Sequence, residues 1–150
     1  MQFTELADCP YYLISRVALQ VTSALKKGFI AADVQAVRPA YLGVLMSLWR
    51  TDGLKVVALG CMAGLEPSTM TGLLDRMERD GLVVRRVDPH DRRAQLVELT
   101  GLGAEVKEPV RTVVEKVMDQ VFTGNVAADL EKTKKVLRQV LGNLQEVAGK

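Results

Sequence analysis

The chain has 150 residues, and its 20 basic and 18 acidic side chains leave a net charge of +2. Apolar residues make up 48% and charged residues 25% of the sequence. This balance is typical of a globular protein and argues against a disordered one. The net charge is too small to indicate nucleic-acid binding by itself, so such a prediction depends on where the arginines lie.

The residue counts also exclude several kinds of site. Two cysteines and one histidine cannot supply the four Cys or His ligands of a structural zinc site, and we expect neither a metal nor a cofactor. Because His90 lies in a charged turn and there is no glycine-rich phosphate loop, we expect no enzymatic activity. No apolar run approaches the roughly 20 residues that span a bilayer, and residues 1–5 lack the basic start of a signal peptide. We therefore expect a cytoplasmic protein without a membrane association.

Helical periodicity marks the first third of the chain. A helix is predicted over about residues 10–30, because apolar side chains recur there on one face. That face carries Ile14, Val17, Val21 and Leu25. Pro39 suits the first position of a second helix, which ends at the turn formed by residues 51–53. The apolar residues of this second helix are Tyr41, Val44, Leu45, Leu48 and Trp49.

The middle of the chain changes from helical to strand periodicity. A short helix is predicted near residues 57–63, followed by a turn and a helix that begins at Pro67 and runs to about Asp80. Gly81 then closes this helix as a C-terminal cap. Its inward positions are Met70, Leu73, Leu74 and Met77. Residues 82–87 and 95–99 alternate as strands do, and the polar residues 88–93 between them predict a long charged loop.

Helices return after the second strand. Thr100 is a predicted N-cap of a long helix that Pro109 should bend. One face of this helix carries Val106, Val110, Val113, Val114, Val117 and Val121. A break at residues 123–125 precedes a last helix, whose apolar positions alternate in steps of four and three. Those positions are Val126, Leu130, Thr133, Leu137, Val140, Leu144 and Val147. The two rows suit either a core within the chain or a surface that pairs with a second subunit.

Residues 57–99 therefore have the order helix, turn, helix, strand, loop, strand, which is a helix-turn-helix with a β-hairpin wing. The second helix of such a pair places its first turn in the DNA major groove. Short side chains at Ser68, Thr69, Thr71 and Gly72 would let the backbone approach closely. The three hydroxyls can bond phosphates or bases, and Arg76 and Arg79, one to two turns later, can reach the DNA backbone.

The tip of the wing predicts a separate contact. Arg92 and Arg93 lie where a side chain could enter the minor groove, and Asp91 could hold one of the two guanidiniums. Residues 75–93 contain six arginines but also five acidic residues. A prediction of DNA binding therefore depends on the positions of the arginines and not on the net charge. The alternative interpretation is that these arginines form an ordinary solvated surface.

These residues resemble the MarR (multiple antibiotic resistance regulator) family of bacterial transcription factors. Four segments carry the resemblance: the helix entry at 65–71, the helix and its Gly-Leu-Val end at 74–83, the Asp-Pro-His-Asp-Arg-Arg tip at 88–93, and the Leu-Thr-Gly-Leu-Gly sequence at 99–103. They occur in the family's order and spacing, and the resemblance as a whole extends over about residues 54–103.

The resemblance implies a mainly α-helical winged helix-turn-helix protein with a small β-hairpin wing that forms a homodimer. Residues 1–38 would hold the N-terminal dimerisation helix and residues 104–150 the C-terminal ones. Residues 39–103 would form the DNA-binding lobe, with the recognition helix at about 67–80 and the wing at 82–99. Such a protein binds pseudo-palindromic double-stranded DNA, most often as a repressor that dissociates when a small phenolic or anionic effector binds.

The resemblance also assigns roles to single residues. Ser68, Thr69 and Thr71 match the DNA-facing turn, Arg93 matches the wing arginine with Asp91 as its partner, and Arg76 matches a residue near the phosphates or paired to the wing. Gly72 departs from the family, since relatives often have a base-reading side chain there. Gly60 departs as well, since it stands where alanine is usual and costs roughly 1 kcal/mol in a helix.

The signal to which the protein responds is less well defined by the sequence. Candidates for an effector pocket are Tyr11, Tyr12, Arg16, Tyr41, Met46 and Trp49; an arginine near phenols can bind an aromatic carboxylate, and core packing is the alternative. Cys9 leaves open a redox-responsive regulator, although it falls one residue out of register with peroxide-sensing relatives. Cys61 is expected to be buried or inert. A winged helix that contacts only proteins is a further alternative.

Overall fold

The computed structural model describes residues 5–148 and the side chains through residue 144. Two compact units divide the chain, one ending at Val117 and the other beginning at Met118. The predicted fold class is confirmed, because helices dominate the chain and a small antiparallel sheet is inserted among them. In the described part, no helix is both long and apolar enough to cross a bilayer. The division into residues 1–38, 39–103 and 104–150 stays a prediction.

The elements follow the predicted order. The helices are α1 (Pro10–Ala31), α2 (Leu42–Arg50), α3 (Val56–Ala63), α4 (Pro67–Arg79), α5 (Gly101–Glu105), α6 (Lys107–Val121) and α7 (Ala127–Ala148). The strands are β1 (Leu54–Lys55), β2 (Val83–Asp88) and β3 (Asp91–Leu99), and short 3₁₀ helices cover Leu6–Asp8 and Pro39–Tyr41. The predicted starts at Pro10 and Pro67 are confirmed, and both agree with proline's fixed φ, which suits a first helical turn. The predicted start at Pro39 is corrected, because a 3₁₀ helix begins there and α2 begins at Leu42.

The core of the first unit is largely aliphatic. The four predicted inward positions of α4 are all buried, and they share the core with Leu45, Leu48 and Leu59, each at most 1% exposed. Two aromatic side chains, Phe29 and Tyr41, complete it. A Cβ on Gly60 would lie 3.2 Å from Cγ of Met70. The glycine that the sequence left unexplained thus lies where α3 packs closely on α4.

The wing differs from its prediction. Residues 88–93 do not form a long loop; β2 ends at Asp88 and β3 begins at Asp91, so that the turn contains only Pro89 and His90. The strands pair from Val83 with Leu99 out to Asp88 with Asp91. The polar composition of residues 88–93 suggested a loop. A strand whose side chains all point into solvent can, however, be polar along its whole length. The two-residue strand β1, which pairs with β3, is too short to show a period in the sequence.

The prediction of one long, bent helix after Thr100 is also wrong. Thr100 is the N-cap, since its Oγ1 accepts the backbone N–H of Gly103 at 3.0 Å. Two helices, α5 and α6, replace the single bent helix, and the break falls at Val106. Proline has no N–H and its ring clashes with the carbonyl four residues earlier. Pro109 therefore prevents a continuous helix through Glu105 instead of only bending it.

The apolar rows separate into two kinds. In the valine row, Val106, Val110, Val113 and Val117 are buried in the core of the chain itself, so that this part needs no second subunit to explain it. The rows of α1 and α7 are different. Ile14 and Val17 on α1, and Leu137, Val140 and Leu144 on α7, are 39–60% exposed.

Candidate nucleic-acid interface

The first turn of α4 presents three hydroxyl side chains to solvent. Glu66 precedes the helix in an extended conformation and Pro67 occupies its first position. Ser68, Thr69 and Thr71 are exposed. The Thr71 hydroxyl donates to the carbonyl of Pro67 at 3.3 Å, which leaves its lone pairs free to accept. The structure thus brings together the three residues that the sequence placed at the DNA-facing turn.

Arg76 lies along the same helix face. A Cβ built on Gly72 would be 3.6 Å from Nη1 of Arg76. The absent side chain at position 72 therefore leaves room for the guanidinium beside the helix. The glycine at position 72 therefore lets the guanidinium of Arg76 lie next to the first turn of α4.

The turn of the wing is held by two carboxylates. Asp88 is buried, accepts the backbone N–H of His90 at 2.8 Å and lies 3.3 Å from Nζ of Lys55. The His90 N–H and then the Lys55 ammonium hold the pKa of Asp88 below its usual value. Asp91 accepts the backbone N–H of Arg93 at 3.0 Å. It thus shapes the turn and binds neither guanidinium, contrary to the role suggested for it.

Arg92 and Arg93 lie on the first residues of β3, beside that turn, and both are exposed. Neither forms an ion pair with any residue in the described part of the chain, and the same holds for Arg76 and Arg79 on α4. Four of the six arginines in this segment are therefore available to an external anion.

The remaining two arginines are structural. Arg85 Nη2 lies 2.6 Å from Oδ1 of Asp75 and 2.7 Å from Oε2 of Glu78, and its backbone N–H donates to the same Glu78 at 3.0 Å. The backbone N–H of Arg85 and then its guanidinium hold the pKa of Glu78 below its usual value. All these bonds of Arg85 join the wing to α4. Arg86 pairs with Glu98 on the neighbouring strand at 2.8 Å. The only signal in the sequence was the spacing of three between Asp75 and Glu78, which places both on one helix face.

Replacing Arg85 with alanine should lower the free energy of unfolding by about 1–2 kcal/mol, because two carboxylates lose a charged hydrogen-bond donor. Urea unfolding followed by circular dichroism measures this change. Arg86→Ala is the matched control on the same strand, and its more exposed pair should contribute under about 1 kcal/mol. Equal effects of the two substitutions would contradict the assigned role of Arg85.

A second polar cluster, which the sequence did not predict, lies at the other end of α4. The Tyr41 hydroxyl donates to Oδ2 of Asp80 at 2.7 Å, and Nε of Arg38 donates to the same oxygen at 3.2 Å. The Tyr41 bond is the main cause that lowers the pKa of Asp80, and burial together with the carboxylate raises the pKa of Tyr41. Asp80 follows the last residue of α4. The cluster therefore joins the end of that helix to the segment before α2.

This cluster predicts a pH dependence of stability. A lowered carboxylate pKa stabilises the folded state above the unfolded value of about 3.9, and this contribution is lost as the pH falls through the folded value. Tyr41→Phe should therefore lower the free energy of unfolding by about 1–2 kcal/mol at pH 6 and by less at pH 3.5. Urea unfolding at both pH values measures it, with the exposed Tyr11→Phe as control. A Tyr41→Phe effect of the same size at both pH values would contradict this role of Asp80.

The predicted effector residues are not gathered at one site in the single chain. A cavity of about 530 Å³ lies between α2 and α6, and Met46 and Trp49 line it. Tyr41 does not, since it is buried against Asp80. Tyr11, Tyr12 and Arg16 lie on α1 and are not among its lining residues. We call this space the α2/α6 cavity; its charged residues are Arg50, Lys107, Arg111 and Glu115, which the sequence analysis missed.

The two cysteines lie on different elements. Cys9 is the N-cap residue of α1 and is partly exposed. Cys61 is exposed and not buried as expected, because it lies on the solvent side of α3, whose buried residues are Leu59 and Gly60. Both are free thiols. Within the described residues, no cluster of His, Cys, Asp and Glu could hold a metal ion.

Comparisons with known proteins agree with this geometry. Residues 39–94 match the family model described as MarR family. The organic hydroperoxide resistance transcriptional regulator of Bacillus subtilis is 32% identical over 108 residues, which are 72% of this chain and 71% of the relative. The HTH-type transcriptional repressor IacR of Pseudomonas putida is 26% identical over 138 residues, 92% of this chain and 81% of the relative.

The fold is shared with solved structures as well. A MarR-family transcriptional regulator from Rhodococcus sp. RHA1 superposes with a TM-score of 0.77 at 26% identity, over 93% of this chain and 96% of that one. The matched segment, residues 39–94, holds α4, most of the wing and the four available arginines. The chain therefore belongs to the MarR family of transcriptional regulators.

Proposed function

We propose that this regulator is a repressor that binds a pseudo-palindromic operator as a homodimer. The first turn of α4 reads the major groove through Ser68, Thr69 and Thr71, and the wing inserts Arg93 into the minor groove. One observation carries this proposal. Arg85 and Arg86 are neutralised by acidic partners, while Arg76, Arg79, Arg92 and Arg93 stand exposed on the same lobe as the hydroxyls.

The α2/α6 cavity is the candidate effector site. Met46 and Trp49 supply an apolar wall. Arg111 is paired with Glu108 and Glu115, at 3.2 and 3.4 Å, whereas no ion pair is found for the lining residues Arg50 and Lys107 in the described chain. An apolar wall with uncompensated positive charge favours a small phenolic or anionic effector. Its binding would release the DNA, which agrees with the description of the relative IacR as a repressor.

One further proposal, on location, accompanies this function, and two alternatives to it remain. A protein that regulates transcription in a bacterium acts in the cytoplasm. The redox alternative rests on Cys9 alone, at the N-cap of α1. The contact-only alternative, a winged helix that binds proteins and no DNA, becomes an outcome of the test.

The test is the fluorescence anisotropy of a duplex from upstream of the protein's own gene, titrated with protein across a salt series. The native duplex should bind far more tightly than a scrambled one, and the affinity should fall steeply with salt because phosphate contacts release counterions. Absence of binding to either duplex, even at low salt, would contradict the proposal and favour the contact-only alternative.

Replacing Arg93 with alanine should weaken binding to the native duplex by roughly tenfold or more, and the slope of log affinity against log salt should become shallower by about 2, because the homodimer loses one arginine from each wing. The same anisotropy titration measures both quantities. Arg86→Ala, which removes a charge from the wing that Glu98 already neutralises, should leave them nearly unchanged. Equal losses in the two variants would mean that the wing acts only through its net charge.

A further inference from the structure

A second cavity lies at the C-terminal end of α1 and is separate from the α2/α6 cavity. Its volume is about 270 Å³, and it shares no lining residue with the larger space. Its floor is apolar, since it includes Phe29 and Val37, which are 0% and 3% exposed. Lys26 and Arg38 also line it, so that two cationic residues border one small apolar space. We call it the Lys26–Arg38 cavity.

The charges around this cavity are not balanced locally. Among the described residues, no acidic side chain lines it, and Lys26 forms no ion pair. Arg38 donates one hydrogen bond, from Nε to Asp80 at 3.2 Å, and its guanidinium carbon lies over the Tyr41 ring, 5.9 Å from the ring centre. Its two Nη groups have no hydrogen-bond partner in the described chain, and its side chain is 56% exposed. A guanidinium with free Nη groups binds a planar carboxylate through two parallel hydrogen bonds.

We propose that the Lys26–Arg38 cavity binds a small apolar carboxylate. The carboxylate would accept from the Arg38 guanidinium and the Lys26 ammonium, and the apolar part of the ligand would lie on Phe29 and Val37. Drug-sized ligands occupy roughly 300–1,000 Å³, so this cavity takes a smaller molecule. The apolar floor favours an organic acid over inorganic phosphate, because it would desolvate a phosphate without offering it hydrogen bonds.

Arg38 also connects this cavity to the recognition helix. Its Nε bonds Asp80, which follows the last residue of α4. A carboxylate bound to the two Nη groups would draw the guanidinium toward the cavity and away from Asp80, so that it competes with the Nε bond and weakens a contact at the end of the helix. We therefore expect occupation of the cavity to lower DNA affinity; this second step, unlike the first, rests on the proposed function.

The site itself is tested without DNA, by titrating the ¹⁵N-labelled full chain with benzoate and following its NMR spectrum. The Nε–H signal of Arg38, identified by its loss in Arg38→Gln, reports on this cavity, as do the amides of residues 26–38. The chain has one tryptophan, and the indole signal of Trp49 reports on the α2/α6 cavity. Benzoate should shift the first set in a saturable way, and neutral benzamide, of nearly the same shape, should shift it far less.

Two variants and a matched control complete the experiment. Lys26→Gln and Arg38→Gln should each weaken benzoate binding by roughly tenfold, because each removes a charged hydrogen bond. Lys27→Gln removes the same charge one residue away, outside the lining, and should have no effect. Lys26 is exposed, so its variant should remain folded even if Arg38→Gln does not.

Several results would overturn the site: equal responses to benzoate and benzamide, equal losses in Lys26→Gln and Lys27→Gln, or shifts confined to the Trp49 indole. None of them depends on DNA binding. In the anisotropy assay, saturating benzoate should lower the DNA affinity of the native chain and not that of Arg38→Gln. If benzoate occupies the cavity and the DNA affinity does not change, competition with Asp80 is excluded although the site stands.

Discussion

Replacing Gly103 with alanine should lower the free energy of unfolding by about 3 kcal/mol or more, near the upper end of what overpacking costs. A Cβ at this position would overlap the carbonyl oxygen of Leu82 and lie 3.1 Å from the carbonyl carbon. Both atoms belong to the backbone where α4 leads into the wing, so they cannot move aside as a side chain would. Urea unfolding at a fixed protein concentration measures the change.

Gly101→Ala provides the matched control for this substitution. Gly101 is the first residue of the same helix, and a Cβ there would have no atom within 4 Å. The change in its free energy of unfolding should be within about 0.5 kcal/mol. If the two variants were equally stable, the close approach of α5 to Leu82 would not be a determinant of the fold. The backbone carbonyl of Gly103 itself accepts the indole N–H of Trp49 at 2.8 Å, so this residue also positions α2.

Replacing both Leu137 and Val140 with aspartate should convert a dimer into a monomer and weaken DNA binding by about 100-fold or more. Every described side chain of α7 from Glu131 to Leu144 is exposed in the single chain. An isolated helix of this length is marginal in water, and its apolar seam would be stabilised by a second copy. A dimer binds both half-sites of the operator at once, which raises the DNA affinity by roughly 10²–10⁴ over a single half-site. Separated subunits lose this increase.

Analytical ultracentrifugation and the anisotropy assay measure these two effects together. Lys135→Asp is the control, because it changes the net charge by the same amount on the opposite face of α7. It should remain dimeric and bind DNA nearly as the native chain does. A double variant that stays dimeric would contradict the assignment of the α7 seam to the subunit interface.

Much of the winged lobe could be predicted because its signals are local. The signals are the prolines at the first positions of α1 and α4, the glycine that closes α4 and the Thr100 cap. Each depends on only a few neighbouring residues, and the helix bounds agree with them. The inward face of α4 follows from a period of 3.6 residues, and its four predicted positions are buried. The exposed hydroxyls of its first turn follow from the same period.

The pairing of charged groups could not be predicted in this way. Six arginines were visible in the sequence, but which of them are neutralised depends on contacts between α4 and β2 or between β2 and β3. The same applies to Asp91, whose carboxylate binds a backbone N–H although a guanidinium partner was expected. The length of the wing turn was mistaken because polarity distinguishes buried from exposed positions and does not distinguish a strand from a loop.

The sequence by itself determined the family, the order of the helices and strands, and the residues that face inward on α4, since each depends on short-range pattern or on motifs in a fixed spacing. Only the tertiary structure decided which arginines are available to DNA, why positions 60 and 103 are glycine, and that a pair of cationic residues borders an apolar cavity at the end of α1. These features join residues far apart in the chain, such as Arg38 with Asp80 or Leu82 with Gly103. These contacts form only when the helices and strands pack against one another, so the local periodicity of the sequence cannot predict them.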